Sequence, residues 1–473
     1  MAEHLPMERF AQNAAAALRN TTQRNALRAA ADVFDGRRKN VLETAPEWQQ
    51  WRQHARAVKN HVLAHLDHYL AEFERNATAR GAVVHWAQDA DVANAIVADL
   101  AAGHGNTVAV KSKSMTTEEI HLNAALADVG VEAVETDLGE WIQQLADEVP
   151  FHIVVPAIHK NRRQVAELFA EKLGTSSDAD AEALTRAARD RLRDRFARAG
   201  VGISGANFLV AETGSILILE NEGNARLTTS VPRMHIAVVG IEKVLPRLAD
   251  LDVFLRLLPR SGTGQQLTTY QSILTGKTPV GGEGPEELHI VLLDNGRSRM
   301  LKEEVTRQSL ACIRCGACLN VCPVYQQVGG HAYGSVYPGP IGAVITPQLA
   351  PLERAAELPF ASSLCGACRD VCPVAIDIPQ LLLHLRQQVR EGDDTTRAAK
   401  PQLLERLALR AALWLLRSPR RYRSATRFWR WAEPWFGWLA HRLPPLSRWR
   451  QGRTVPRLAR RDFISLWQER RRR

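Results

Sequence analysis

All seven cysteines of the chain fall between positions 312 and 372, in two runs whose spacing suits iron. Cys312, Cys315, Cys318 and Cys322 form a C-x2-C-x2-C-x3-C-P run ending at Pro323; Cys365, Cys368 and Cys372 form a C-x2-C-x3-C-P run ending at Pro373. The first has the bacterial ferredoxin spacing, in which the fourth cysteine serves the other cluster. The second is the same pattern without its first cysteine, and counting ten back from Cys372 lands on Ser362. A cubane cluster presents four iron corners. Short C-x2-C steps wrap three of them in one tight loop, and the following Pro turns the chain away toward a second cluster.

The expectation is two clusters with crossed ligation, both [4Fe–4S] in kind. Cys312, Cys315, Cys318 and Cys372 hold the first; Cys322, Cys365 and Cys368 hold the second. Its fourth corner falls to Ser362, Ser363, water or a partner's group, or the core is [3Fe–4S]. Gly316 and Gly366 sit inside the loops, where a missing side chain allows close approach to inorganic sulfide. Zinc ribbons use paired C-x2-C steps rather than a C-x2-C-x2-C triplet. Disulfides do not fit a chain with no cysteine outside this window and no export signal in Met1 to Arg19. Free thiolates point to a reducing compartment, so the expected location is cytoplasmic, including the inner face of the membrane as a peripheral site.

Elements must position these thiols. A chain of 473 residues has room for about three domains. Residues 1–75 read as helices, with Trp48 and Trp51 on one stripe. From Val83 short apolar strands alternate with helices, which predicts an α/β layered domain with a largely parallel sheet over 76–296. The strands are Thr107–Val110, Val131–Thr136, His152–Pro156, Ser215–Leu219, His235–Val239 and His289–Leu293. Thr116-x-x-Glu119 reads as a capping box opening a helix to Gly130, and Arg162 to Arg198 as helical. A spacer rich in Gly, Pro and Tyr (Gly329 to Pro340) separates the cysteine runs. It is too long for a compact β-ferredoxin, so 297–395 is expected to be a helical ferredoxin-like domain.

The net charge of +10 is a property of one end. Residues 396–473 hold 21 Lys plus Arg against four acids, whereas the rest holds 40 bases against 47 acids. The same tail carries seven of the eleven tryptophans. Arg interleaved with Trp could bind nucleic acid, sit at a lipid surface, or dock on partner subunits or on the chain's own domains. No nucleic-acid fold accompanies the tail, which favours a partner or lipid surface. Pro434, Pro444 and Pro445 are expected to break the tail into short helices.

Beyond the cysteines, Lys111-Ser-Lys-Ser-Met-Thr-Thr-Glu-Glu-Ile-His121, Pro156-Ala-Ile-His-Lys160 and Glu212-Thr-Gly-Ser215 mark the α/β segment. Glu220 to Arg226, Pro232-Arg-Met-His235 and Tyr337-Pro-Gly-Pro340 extend the pattern. On these residues the chain resembles the iron–sulfur subunit of bacterial lactate utilisation, the lactate-utilisation protein B family, over nearly its whole length. The resemblance implies an N-terminal domain of the LUD type, akin to sugar-phosphate isomerases and CoA transferases, then a helical dicluster domain. It also implies a role passing electrons during oxidation of L-lactate to pyruvate, as a subunit of a multi-subunit L-lactate dehydrogenase complex rather than a stand-alone catalyst. Seven cysteines with a serine at the eighth place is that family's usual arrangement.

Competing readings are plainer. The Lys111 to Met115 loop could hold an anion on its amides and lysines, but helix capping explains it more simply. Glu212-Thr-Gly-Ser215 could be a remnant catalytic site or a turn before a buried strand. His121, His159 and His235 lack metal-ligand spacing; His61 and His65 have it without a third ligand. Gly200-Val-Gly-Ile-Ser-Gly205 follows a helix and leads into a strand-like stretch, the wrong context for a dinucleotide fingerprint. A second functional class, an iron–sulfur regulatory or nucleic-acid-binding sensor, needs only one cluster. Two clusters in series favour electron transfer.

Overall fold

A computed structural model of the chain describes residues 5–103, 105–392, 403–440, 442, 459 and 461–472. Residues 1–399 form one unit and 400–473 a second.

In the first unit, after a short helix Phe10–Ala17, three longer helices, Thr21–Glu43, Trp48–Ala64 and Leu66–Ala79, lead in. Asn20 caps the first of these three, its side chain accepting from Gln23 N. Among the described residues ten strands follow: β1 Val83–Ala87, β2 Val108–Lys111, β3 Glu132–Glu135, β4 Val201–Ser204, β5 Phe208–Val210, β6 Ser215–Glu220, β7 Met234–Gly240, β8 Val244–Leu245, β9 Tyr270–Thr275 and β10 Glu287–Leu293. Six make an all-parallel sheet in the order β1-β10-β7-β4-β2-β3. Strands covered on both faces need continuous apolar runs, and every residue of β7 is buried. The other four form a mixed sheet, β8-β5-β6-β9.

The α/β layer and the cysteine segment share a core. Trp48, Ala55 and Leu63 of the lead-in helices, Phe208 and Leu217 of the mixed sheet, and Phe254 and Leu257 pack in one buried cluster with Leu310, Leu319, Tyr333, Ile341 and Leu381. At two glycines the approach is close. A Cβ on Gly262 would stand 2.6 Å from the Cys315 carbonyl oxygen, and one on Gly330 would strike that of Phe151 at 1.7 Å. The cysteine loops are built onto the α/β layer.

Several expected elements differ. His152–Pro156 forms no strand: the His152 ring Nδ1 accepts from Val154 N and Val155 N at 3.0 and 3.1 Å, and Lys113 takes the Val154 carbonyl at 2.6 Å. Those groups are then lost to a ladder. The helix after β2 is capped by Ser114, whose Oγ accepts from Thr117 N, not by Thr116. It ends at Glu119, and His121 at φ 54° separates it from Leu122–Asp128. Gly174 at φ 74° divides the charged stretch into Arg162–Leu173 and Ala181–Arg198. All four residues between Gly200 and Gly205 make β4, so the G-x-G-x-x-G match is a strand.

In the second unit, helices Leu403–Leu416 and Pro419–Ala440 are joined where Arg421 donates to the Trp414 carbonyl and stacks over its ring at 4.4 Å. Pro434 lies inside the longer helix and does not break it. A proline deletes one amide of the ladder, and here the remaining bonds carry the helix through. Pro444, Pro445 and Trp449 lie outside the described residues, as does the side chain of Trp438. Phe428, Trp431 and Trp435, spaced i, i+3 and i+7, are all exposed. Among the described residues no helix is long and apolar enough to cross a membrane.

Candidate metal centre

The two cysteine runs fold into the same turn. In the first, Arg314 takes φ 59° and its N–H points at Cys312 Sγ at 3.4 Å; Gly316 at φ 75° then opens the short helix Ala317–Asn320. In the second, Leu364 takes φ 55° and its N–H points at Ser362 Oγ at 3.1 Å; Gly366 at φ 87° opens Ala367–Asp370. Left-handed conformations at non-glycine residues cost strain, and their repetition two residues after Cys312 and after Ser362 makes these sites counterparts. Arg386 pins the serine loop, donating to the carbonyls of Pro359 at 2.8 Å and Ser362 at 3.1 Å.

Past each run the Pro-containing turn aims amides back at sulfur: Tyr325 N at Cys322 Sγ and Ile376 N at Cys372 Sγ, both at 3.4 Å. The Cys372 thiol interacts electrostatically with Cys312, Cys315 and Cys318. Cys322 interacts instead with Cys365 and Cys368. Cys318 also reaches Cys368, so the two groups adjoin. Cys315, Cys318, Cys322, Cys368 and Cys372 are buried, Cys312 is half-buried and Cys365 is exposed. Ser362 is half-buried and Ser363 exposed.

These residues fit iron–sulfur clusters. Burial first, then neighbouring thiols, pushes Cys315 and Cys318 far up; burial pushes Cys368 to about 12 and Cys372 to about 11. Such groups stay protonated unless a cation displaces the proton. Sulfur donors crowded in a low-dielectric site, ringed by N–H groups, match the ligand chemistry of iron–sulfur cores.

Behind the Cys312 loop lies a buried ionic network that the sequence did not announce. Arg297 binds Glu119 through two hydrogen bonds of 2.9 Å and Glu242 at 2.6 Å. Tyr337, from the spacer, donates to Glu119 Oε2 at 2.6 Å, and the Arg314 guanidinium stacks over its ring at 4.5 Å. Arg314 also lies 3.5 Å from Glu242. Lys59 donates to the Glu242 backbone carbonyl. Burial pulls the ammonium groups of Lys59 and Lys243 down to about 8, while Glu242 and Cys312 act in the opposite sense. One signal was available: Lys59 interrupts the buried stripe of its helix between Ala55 and Val62.

The remaining candidates resolve simply. Lys111 is fully buried between Glu118 at 2.6 Å and Glu135 at 2.8 Å, so it is no anion site. Ser204 and His235 share a hydrogen bond of 2.7 Å in the sheet. His61 lies against His65, the rings tilted with centroids 4.6 Å apart, and meets the Tyr69 hydroxyl at 2.8 Å. Glu212 accepts from Leu248 N at 2.8 Å, holding a turn. His159 does come together with Glu148 and with His331, which sequence spacing missed. That carboxylate is already engaged by His159 at 2.8 Å and Lys160 at 2.6 Å, and despite burial these hydrogen bonds hold it down to about 2.

Comparison with known proteins agrees with this layout. Residues 70–293 match the LUD domain and residues 308–376 the 4Fe-4S dicluster domain. Lactate utilization protein B of Lysinibacillus sphaericus is 42% identical over 429 residues, 90% of this chain and 89% of that protein. The protein of the same name from Bacillus licheniformis is 40% identical over 476 residues, covering 100% and 98%. The Escherichia coli protein described as an uncharacterized electron transport protein, YkgF, is 39% identical over 446 residues, covering 93% and 92%. A DUF162-family crystal structure from Deinococcus radiodurans aligns over 48% of this chain and 98% of that one, at 14% identity and a TM-score of 0.28, too low to argue from.

Proposed function

The chain belongs to the lactate utilization protein B family, and from that premise we propose that it is the iron–sulfur electron-transfer subunit of a multi-subunit L-lactate dehydrogenase complex. Oxidation of L-lactate to pyruvate releases two electrons and two protons. Iron–sulfur clusters, when bound, supply one-electron transfer and cannot alone accept a hydride. The C–H chemistry therefore belongs to a partner-bound redox centre, and this chain's task is to hold two one-electron sites close together in a dry core.

The observation that carries this reading is the sorting of the thiols. Cys372 stands with Cys312, Cys315 and Cys318, and Cys322 stands with Cys365 and Cys368. We assign the first four to one [4Fe–4S] cluster and the other three to the second, with Ser362 at its remaining corner. The serine takes the same turn as Cys312 and accepts from the corresponding amide, Leu364 N in place of Arg314 N. The exposed aromatic stripe Phe428, Trp431 and Trp435 on an arginine-rich helix serves as the docking element, toward partner subunits or the inner membrane face.

The decisive experiment uses the anaerobically reconstituted full chain. Alone, with an artificial acceptor, it turns over no L-lactate; with partners co-purified from lactate-grown cells, adding L-lactate reduces its clusters. Turnover by the single chain overturns the proposal. Tight, salt-dependent nucleic-acid binding by the intact protein would instead favour the sensor reading.

A further inference from the structure

The ionic network behind Cys312 is unbalanced. Four cations, Lys59, Lys243, Arg297 and Arg314, are buried or nearly so, against two buried carboxylates, Glu119 and Glu242. The carboxylates are committed: Glu119 to Arg297 and Tyr337, Glu242 to Arg297 and Arg314. Among the described residues neither Lys59, 1% exposed, nor Lys243, 7% exposed, makes an ion pair. Burying a cation without an anionic partner is costly, so an excess of two positive charges in a packed core calls for an anion. Beyond the committed Glu242, to whose carbonyl Lys59 donates and beside which Arg314 lies, Cys312 is the anionic-capable group that interacts with Lys59, Lys243 and Arg314 alike, and the Arg314 amide points at its sulfur.

We infer that Lys59 and Lys243 are built-in counter-ions of the first cluster, matching its charge and raising its reduction potential relative to the second. The inference rests on the cluster assignment above. Four thiolates on a doubly charged cubane make a dianion, and reduction by one electron, with no proton taken up, makes a trianion. Fixed cations in a low-dielectric setting stabilise the trianion more than the dianion. Arg314 adds an amide donor to Cys312 and a guanidinium against Tyr337; hydrogen bonds to cluster sulfur act in the same direction. Lys59 and Lys243 are thus positioning and tuning residues that touch no substrate.

The test is a mediator titration of the full chain, anaerobically reconstituted with iron and sulfide and reduced stepwise with dithionite, read by electron paramagnetic resonance. Lys59→Met should disfavour reduction of the first cluster at least tenfold, about 59 mV for a one-electron couple. The second cluster's midpoint, an internal control, should not move, and Lys59→Arg should retain the wild-type value. A first-cluster midpoint unchanged in both Lys59→Met and Lys243→Gln overturns the inference. If Lys59→Met fails to assemble the first cluster, retention of that cluster by Lys59→Arg supports the charge role, and loss in Lys59→Arg as well overturns it in favour of packing. Absence of cubane iron from the wild-type chain would instead sink the underlying assignment, an outcome that iron and sulfide analysis separates from the others.

Discussion

Tyr337 donates its phenol hydrogen to Glu119 across 2.6 Å, joining the spacer between the two cysteine runs to the helix that follows β2. Both side chains are buried, and Asn295 and Arg297 complete the shell around the carboxylate. Tyr337→Phe removes one hydrogen bond to a charged group, which should cost about 2 kcal/mol. Arg297→Met leaves two buried carboxylates without their main cation and should cost more, about 3–5 kcal/mol. Urea denaturation followed by circular dichroism should rank the variants in that order; equal stability of Arg297→Met and wild type would refute the reading.

Crossed ligation predicts crossed damage. Cys372→Ala should perturb the cluster of the first run, because its thiol stands with Cys312, Cys315 and Cys318. Cys365→Ala should perturb only the second. Electron paramagnetic resonance of the two variants decides this, and a second-run defect in Cys372→Ala would count against the pairing.

On the proposed assignment the second cluster should be the first lost in air, since Cys365 is exposed and none of the seven cysteines is left for the fourth corner. Ser362→Cys should slow that loss and Ser362→Ala should hasten it, with the first cluster indifferent to both. Iron release timed under oxygen supplies the measurement.

Burial holds His235 down to about 4, from an ordinary value of 6.5. The folded chain keeps this ring neutral while the unfolded chain protonates it below 6.5. Its contribution is therefore complete above pH 6.5 and is lost as pH falls toward 4, about 1.5 kcal/mol by pH 5.5. His235→Gln should be less stable at pH 7 through loss of the Ser204 bond, yet should lose less between pH 7 and 5.5 than wild type does.

Truncation after Gly392 removes the second unit together with the segment that precedes it. Both clusters should survive, because all seven cysteines lie in the first unit and six of them, all but the exposed Cys365, pack in or against its core. Association with partners or membrane should weaken, and the intact protein's association should weaken with salt. Cluster loss on truncation would mean the tail is core; full activity in cells would end the docking idea.

The kind of chemistry was legible in the sequence because it is local. Ligand type, C-x2-C steps and the Pro turn are set within a few residues, and the parallel sheet followed from short apolar runs alternating with helices. Local pattern misled where side chains captured the backbone: His152 consumes amides that a strand at 152–156 would have needed, and Ser114 rather than Thr116 caps the helix after β2. The crossing of Cys372 to Cys312, Cys315 and Cys318 was expected from the ferredoxin spacing; the tertiary structure supplied the electrostatic proximity of Cys372 and Cys312 across sixty residues of chain. It also decided that Lys59, Arg314 and Glu242 share one dry space with them. Charge balance in a low-dielectric core depends on which distant groups are buried side by side, and no spacing in a single sequence encodes that.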